Sequence, residues 1–400
     1  MDYFKPERVR PLFAKMLEHV EREEPTLAAD VMRVPVSDYY ERDRWEAEVE
    51  QIFRRRPLLL AVTGELRQPG SYRAMTIAGV PILLTRLRSG EVRMFVNACR
   101  HRGVPVVPDG DGNAQRFTCV YHAWTYAADG RLIGLPEQEM FGDIDKRCYG
   151  LTPLAVEERN GMIWGVLTPG VALDLDQWLG EMGGMLDTTG LEEFEIFERV
   201  ELDSNNWKIT WEGYIETYHF ASLHKDSFSA FILPNLTVCD SFGKHFRFCV
   251  PVRGIEQFVD RESSDDDLQR YLQQSFMLFP STQLSFGYVP PEVPVSRILM
   301  SQVFPGDTPE RSKTVLRILV NRDVRGTPYE EETQRWSDVV LGTVRNEDYP
   351  VIKTIQSTLR SKGNDFFTFG RNEIGIHLMH QEIERALADG APAVEMPSPI

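Results

Sequence analysis

Cys99-Arg100-His101 and Cys119-Val120-Tyr121-His122 are the residues on which the reading of this chain turns. A Cys-x-His pair is followed, seventeen residues later, by a Cys-x-x-His pair. Two thiols and two imidazoles in short, closely spaced pairs make a metal constellation. A structural zinc site with this inventory usually runs Cys with Cys and His with His. Here both pairs are mixed. That pattern suits a [2Fe–2S] cluster in which two Cys hold one iron and two His the other, with zinc as the rival.

The residues around these ligands sharpen the choice. Cys-Arg-His-Arg-Gly at 99–103, then Cys-Val-Tyr-His-Ala-Trp-Thr-Tyr at 119–126 with Asp129-Gly130-Arg131-Leu132 behind, resemble the Rieske domain of the aromatic ring-hydroxylating oxygenase family. The resemblance implies that Cys99, His101, Cys119 and His122 hold a Rieske [2Fe–2S] cluster. One departure is Ala123, where the family usually has Gly after the second cluster His.

Four hundred residues allow two domains and an ample core. Hydrophobic residues at 42% and charged residues at 26% fit a water-soluble globular chain, and the net charge of −16 has no basic block within it. This argues against nucleic acid or an anionic membrane as the main partner. The start, Met1-Asp2-Tyr3-Phe4-Lys5, lacks the pattern of a signal peptide, and no apolar run nears the roughly 20 residues of a membrane span, so a cytoplasmic location is expected. Cys148, Cys239 and Cys249 are left over and read as reduced thiols packed as small hydrophobes.

Helical spacing of Val9, Phe13, Met16, Leu17 and Val20 predicts an amphipathic helix, and Arg42 to Arg54 a second one. From Pro57 to Leu167 short alternating strands broken by Gly and Pro predict a compact β-unit, with both ligand pairs near hairpin tips. A short helix is expected over Leu173–Met185, strand from Glu192, and a long helix from near Trp207. Arg261 to Asp267 reads as a solvated loop rather than a lid. Further strands follow at 236–252, 276–287, 296–304 and 314–321, and helices at 329–362 and 373–388.

The segment opened by Trp207-Lys208 carries a second constellation. His219 and His224 lie five residues apart, and Glu216 three before His219. Zinc proteases place their His four apart with a Glu beside the first, which this segment does not. On a regular helix a spacing of five turns side chains apart, so a shared metal requires the helix to end or distort between them. Asn206-Trp207-Lys208 with Glu216, His219 and His224 is similar to the family's iron-binding helix. Completed by a later carboxylate, the two His form the facial triad that holds mononuclear Fe(II) with positions open for O₂ and substrate. Over Val344–Leu359 the apolar positions 344, 352, 355 and 359 share a helical face with Asp348, the preferred third ligand. Glu347, about a hundred degrees away on the helix, is its competitor.

The resemblance covers nearly the whole chain and implies an α+β fold. A β-rich Rieske domain (45–168) is inserted into a helix-grip type catalytic domain, with N-terminal helices at 1–44 and the iron domain proper at 169–400. A curved antiparallel sheet wraps a long helix, with Tyr214, Phe220, Phe231, Phe276 and Leu278 as candidate pocket residues. The implied activity is that of a terminal oxygenase, a mono- or dioxygenase, hydroxylating an aromatic or other apolar ring compound. It draws O₂ directly and electrons from NAD(P)H through a reductase, with or without a ferredoxin. The implied assembly is a head-to-tail homotrimer, with or without a β subunit, in which Glu216 bridges His122 of one subunit and His219 of the next. Glu at that position, where aromatic dioxygenases carry Asp, is typical of a branch that oxidises methylated amines, which is the alternative reading. Gly213 replaces an Asn frequent in the family. A stand-alone Rieske electron carrier is the rival from another class, and it leaves more than half of the chain without a role.

Overall fold

The computed structural model describes residues 5–287 and 295–390. Met1–Phe4, on which much of the signal-peptide reading rests, lie outside them. The chain forms two compact units, one on Val49–Trp178 and the other on the residues up to Glu48 together with Leu179–Asp389.

In the first unit, Leu58–Val62 is an unbroken apolar run, buried at every residue, and pairs with Met162–Gly165, which is buried throughout as well. A run without polar alternation suits a strand covered on both faces. A five-stranded antiparallel sheet runs in the order 153–154, 92–96, 80–86, 71–77, 110–113. A small three-stranded sheet joins Arg116–Thr118, Thr125–Ala127 and Leu132–Gly134. Leu83, Phe95, Phe117, Trp124 and Tyr126 make a core in which Cys99 and Cys119 are themselves buried.

The second unit is built on a seven-stranded antiparallel sheet of β1 (Glu195–Ser204), β2 (Val238–Phe242), β3 (His245–Pro251), β4 (Leu272–Leu278), β5 (Thr282–Phe286), β6 (Arg297–Pro305) and β7 (Ser312–Val320). The order is β1-β7-β6-β5-β4-β3-β2, so consecutive strands from β2 to β7 are neighbours. The helix Pro6–Arg22 buries Val9, Leu12, Phe13, Met16 and Val20 against Val238, Cys249 and Leu272.

A long helical run lies on the sheet. Glu330–Thr343 is α-helical, Val344–Asp348 is a π-helical turn, and Tyr349–Thr358 is α-helical again. Val340, Leu341 and Val344 pack on Leu299, Leu316 and Ile318. The helix from Trp207, by contrast, is short: it ends at Glu212, and a second piece covers only Phe220–Leu223. Gly213 at its C-cap and the aromatic and β-branched residues that follow give the helix little reason to continue. The long helix expected from Trp207 is thus two short ones, and the long run is the one that carries Asp348.

Asn206-Trp207-Lys208 has a structural explanation. The Asn206 side chain caps the helix by accepting from Lys208 N at 2.9 Å, and its amide donates to the carbonyls of Tyr39 and Pro309. Lys208 Nζ lies 2.6 Å from both oxygens of Glu48, which also accepts from Trp207 Nε1 at 2.9 Å and Arg44 Nε at 2.9 Å. Both Lys208 and Glu48 are fully buried, where each charge needs its partner.

Two further expectations change. Within Arg261–Asp267, read as a loop, Asp265 opens a helix that runs to Arg270, and Ser264 and Asp267 form a capping box at its start. That Ser-x-x-Asp signature was present in the sequence. Phe276 and Leu278 do not line the pocket described below. Side chains alternate along β4, so Gln273, Ser275 and Met277 face the pocket while Phe276 and Leu278 enter the packing of the opposite face. No helix among the described residues is long and apolar enough to cross a membrane. None of the five cysteines is in a disulfide, and Cys239 and Cys249 are buried.

Candidate active site and cluster loops

The two Cys/His loops share one backbone plan. Cys99 N donates to Val104 O at 2.8 Å and Gly103 N to Cys99 O at 2.8 Å. Cys119 N donates to Trp124 O at 2.8 Å and Ala123 N to Cys119 O at 3.0 Å. In each loop the residue four after the Cys takes a positive φ, +79° at Gly103 and +57° at Ala123. A left-handed backbone suits glycine and strains alanine, so the second loop closes the same turn at a cost.

The loops bring the four residues together at one end of the unit. The His101 and His122 rings have centroids 4.6 Å apart. His101 stacks on Trp124 at 5.0 Å with an interplanar angle of 9°, and His122 on Tyr121 at 3.7 Å. Arg102 Nη1 donates to Tyr121 Oη at 3.0 Å and ties the loops to each other. Cys99 Sγ lies 3.3 Å from Tyr126 Oη, which accepts from Arg100 N at 2.9 Å. His101 Nδ1 is buried and has no hydrogen-bond partner among the described residues. A buried nitrogen without a partner is costly, and a metal is the partner that this arrangement of buried thiols and facing imidazoles can hold. The site thus fits the cluster.

In the second unit three donor atoms meet. His219 Nε2 and His224 Nε2 are 3.2 Å apart, His224 Nε2 and Asp348 Oδ1 3.1 Å, and His219 Nε2 and Asp348 Oδ1 3.4 Å. Donors about 2.1 Å from a common ion, at right angles to one another, stand about 3 Å apart, so the three could hold one metal on one face. The break in the helix makes this possible. His219 precedes the short piece Phe220–Leu223 and His224 follows it, and the rings turn toward each other.

The outer nitrogens of both rings are engaged. His219 Nδ1 is hydrogen-bonded to Glu216 Oε1, and His224 Nδ1 lies 2.7 Å from Glu347 Oε2. Glu347 also accepts from Ser227 Oγ at 2.9 Å. Carboxylates on the outer nitrogens orient both Nε2 atoms inward. Glu347 and Asp348, rivals in the sequence, therefore occupy opposite sides of the His224 ring. The other oxygen of Glu216 accepts from Tyr218 N and from His219 N at 3.2 Å, fixing the start of the short helix, a role that the sequence did not suggest.

The charged groups of the site perturb one another. Burial lowers the His219 pKa, but Asp348 and Glu216 outweigh it and lift it to about 9. Burial acts in the same direction on His224, and Asp348 and Glu347 raise it overall. Asp348 is pushed up by burial and pulled further down by the two His.

The three donors stand on the wall of a cavity of about 650 Å³. Tyr214, Phe220 and Phe231 line it as expected, joined by Phe228, Phe248, Leu299, Trp336, Val340 and Val344, which sequence reasoning missed. Gly213 lies on this wall, where an added Cβ would meet only ordinary contacts, Thr210 O at 3.8 Å and Ile352 Cδ1 at 4.0 Å.

The family models for the Rieske [2Fe-2S] domain and for the ring hydroxylating alpha subunit (catalytic domain) match residues 57–149 and 191–389. Benzene 1,2-dioxygenase subunit alpha of Pseudomonas putida is 32% identical over 228 residues, covering 54% of this chain and 50% of that one. The anthranilate 1,2-dioxygenase large subunit of Burkholderia cepacia is 30% identical over 205 residues, 49% of this chain and 48% of that one. The match to these curated relatives spans about half of their length. Two solved structures share the fold. A quaternary ammonium Rieske monooxygenase superposes with a TM-score of 0.76 at 23% identity, over 89% of this chain and 96% of that one. Naphthalene 1,2-dioxygenase from Rhodococcus sp. gives 0.71 at 18%, over 96% and 99%. With a Rieske [2Fe–2S] domain followed by the catalytic domain of a ring-hydroxylating alpha subunit, the chain belongs to the Rieske ring-hydroxylating oxygenase family.

Proposed function

We propose that this protein is the terminal oxygenase of a multicomponent Rieske non-haem iron system. It hydroxylates an apolar, ring-containing substrate with O₂ and with electrons taken from NAD(P)H by a reductase, directly or through a ferredoxin. The observation that carries the reading is the meeting of His219 Nε2, His224 Nε2 and Asp348 Oδ1 on the wall of a large apolar cavity.

In this reading Cys99, His101, Cys119 and His122 hold the cluster, and His219, His224 and Asp348 hold the mononuclear iron. Bound there, iron supplies the activation of O₂ for hydroxylation, with single electrons delivered from the cluster. The residues do the rest. Glu216 and Glu347 keep each imidazole in one tautomer with Nε2 toward the metal. The aromatic and aliphatic walls exclude water and hold the substrate ring beside the open face of the site. We further propose the head-to-tail homotrimer, in which Glu216 accepts from the equivalent of His122 in a neighbouring copy.

Anaerobically prepared protein should contain two irons and two acid-labile sulfides for the cluster and a third iron for the mononuclear site. It should take up O₂ with substrate and a reductase. Zinc in place of iron, with no sulfide, refutes the assignment. A second reading, oxidation of a methylated amine, rests on the Glu at position 216. Oxygen uptake with a betaine and none with ring compounds would select it.

A further inference from the structure

The charged side chains on the wall of the cavity already have partners. Arg297 donates to Glu332 Oε1 at 2.9 Å and Arg335 to Glu331 Oε1 at 3.0 Å. Arg270 is engaged as well, its guanidinium 5.9 Å from the Tyr271 ring centre. Glu216, His219, His224 and Asp348 bind one another at the triad. An ionic ligand group would leave water for a mostly apolar space in which no lining charge is waiting for it.

The uncharged polar residues are different. Gln273, Ser275, Gln283 and Ser285 form a stripe on the sheet wall, with Ser275 directly opposite Ser285 across β4 and β5. Gln273 Nε2 donates to Phe286 O at 2.8 Å, an atom that can only accept, and this fixes which way the amide points. The second hydrogen of the same nitrogen goes to Ser285 Oγ at 3.0 Å. Ser275 Oγ donates to Ser285 Oγ at 2.9 Å. A hydroxyl accepts at two sites and donates one hydrogen. Both acceptor sites of Ser285 are therefore used, and its own hydrogen has no acceptor among the described residues. Reversing the Ser275–Ser285 bond would only move the spare hydrogen to Ser275, on the same wall. Gln283 is two residues from Ser285 on the same face of β5, half-buried, and its side-chain amide makes no hydrogen bond among the described residues.

The rest of the lining is largely apolar, with Phe220, Phe228, Phe248, Leu299, Trp336 and Val340 in it. At about 650 Å³ the cavity is in the middle of the range for sites that enclose drug-sized ligands. A ligand that fills it must take water from the stripe. A bare hydrocarbon leaves the spare hydroxyl hydrogen and the Gln283 amide unpaired, whereas an oxygen on the ring restores their bonds. The stripe belongs to the sheet and Asp348 to the helical run lying on it, so a ring between them can face the triad while its oxygen faces β5.

We propose that the substrate is a bulky, uncharged ring compound bearing a hydrogen-bond-accepting oxygen, a ketone or a hydroxyl, which Ser285 and Gln283 hold on the sheet wall while the ring faces His219, His224 and Asp348. This deepens the oxygenase reading and rests on it. Ser275 and Gln273 act through Ser285, saturating its acceptor sites so that its hydrogen is kept for the ligand.

The test uses the full-length, cluster- and iron-loaded protein and measures binding without turnover, by equilibrium dialysis under nitrogen. The probes share one three-ring skeleton: fluorene, 9-fluorenone, 9-fluorenol, 9-fluorenecarboxylate and a fluorene carrying a trimethylammonium group. The ketone and the alcohol should each bind at least fivefold more tightly than fluorene, the effect of about one neutral hydrogen bond, and more tightly than either ion. Gln283→Leu should shrink the preference for ketone over fluorene by weakening the ketone and not the hydrocarbon. Ser285→Ala should do the same, and because it also frees Gln273 and Ser275 within the sheet, Gln283→Leu at the half-buried position is the independent arm. Fluorene binding as tightly as the ketone, an ion binding tightest, or Gln283→Leu lowering ketone and hydrocarbon by the same factor would each overturn the proposal. Oxygen uptake is scored separately. A preference for the oxygenated ring without iron-dependent uptake would refute the oxygenase reading while leaving the ligand class standing.

Discussion

Replacing Glu347 by Gln separates the two neighbouring carboxylates by their work. Glu347 Oε2 accepts from His224 Nδ1 at 2.7 Å and from Ser227 Oγ at 2.9 Å, whereas Asp348 Oδ1 faces the Nε2 atoms of both imidazoles. Glutamine keeps the shape and one acceptor but removes the charge that makes the imidazole a better ligand. Loss of such an outer partner typically costs 10- to 100-fold in metal affinity, about 1.4–2.8 kcal/mol. The Glu347 side chain is 31% exposed, so water screens part of its charge and the lower end applies, about tenfold. Asp348→Asn removes a donor from the metal itself and should cost more than about 100-fold. Fe(II) titration of the metal-free site under nitrogen, against a chelator of known affinity, reads both. Nearly normal iron binding by Asp348→Asn beside its loss in Glu347→Gln would exchange the two roles and refute the reasoning.

Other consequences are open to measurement. Iron binding must displace protons from His219, whose pKa stands at about 9 without metal, so affinity should fall as the pH drops below about 9, by about tenfold per unit for each proton displaced. The sign for stability of the metal-free protein follows from the same shift. The contribution of His219 is fully present below the ordinary His value of 6.5 and is lost as the pH rises through about 9, which thermal melts across that range would register. Ala123→Gly relieves a left-handed alanine, worth about 1–2 kcal/mol less the extra chain freedom of glycine, so a net gain of about 0.5–1 kcal/mol and a rise of about 2 °C in the midpoint of thermal cluster loss are expected. Tyr126→Phe deletes the hydroxyl beside Cys99 Sγ, and the cluster's reduction potential, read by redox titration, should fall. Lys208→Met strands Glu48 in the core with only Arg44 and Trp207, and chemical denaturation should show a loss of about 3 kcal/mol.

The residues most legible in the sequence were those whose chemistry is local. The mixed Cys/His pairs need only short loops, and the helical face of 344, 348, 352, 355 and 359 pointed to Asp348 although the run contains a π-helical turn that a regular period does not foresee. That both Glu347 and Asp348 would reach His224, from opposite sides, needed the fold, because the ring presents two nitrogens and the sequence offers no orientation for it. The broken helix at 207–223 was half foreseen: the five-residue His spacing demands a distortion, but the short extent of each piece depends on Gly213 and on capping by Glu216. The pocket wall was least legible. In Gln273-Gln274-Ser275-Phe276-Met277-Leu278 the large apolar residues Phe276 and Leu278 are the expected lining, and the strand instead turns Gln273, Ser275 and Met277 into the cavity and Phe276 and Leu278 into the packing behind it.

The unit that carries His219, His224 and Asp348 is closed by segments far apart in the chain. Met32–Pro35 lies in register with Phe366–Phe369, and Arg44 pairs with Glu384. At a synthesis rate of roughly 5–20 residues per second, the earlier strand waits some twenty seconds to a minute for its mate to leave the ribosome. The Val49–Trp178 unit is continuous and can fold long before then. The Cys/His loops can thus be in place before the triad, and trimming the chain before Phe366 should weaken metal binding at His219, His224 and Asp348 without removing any of the three.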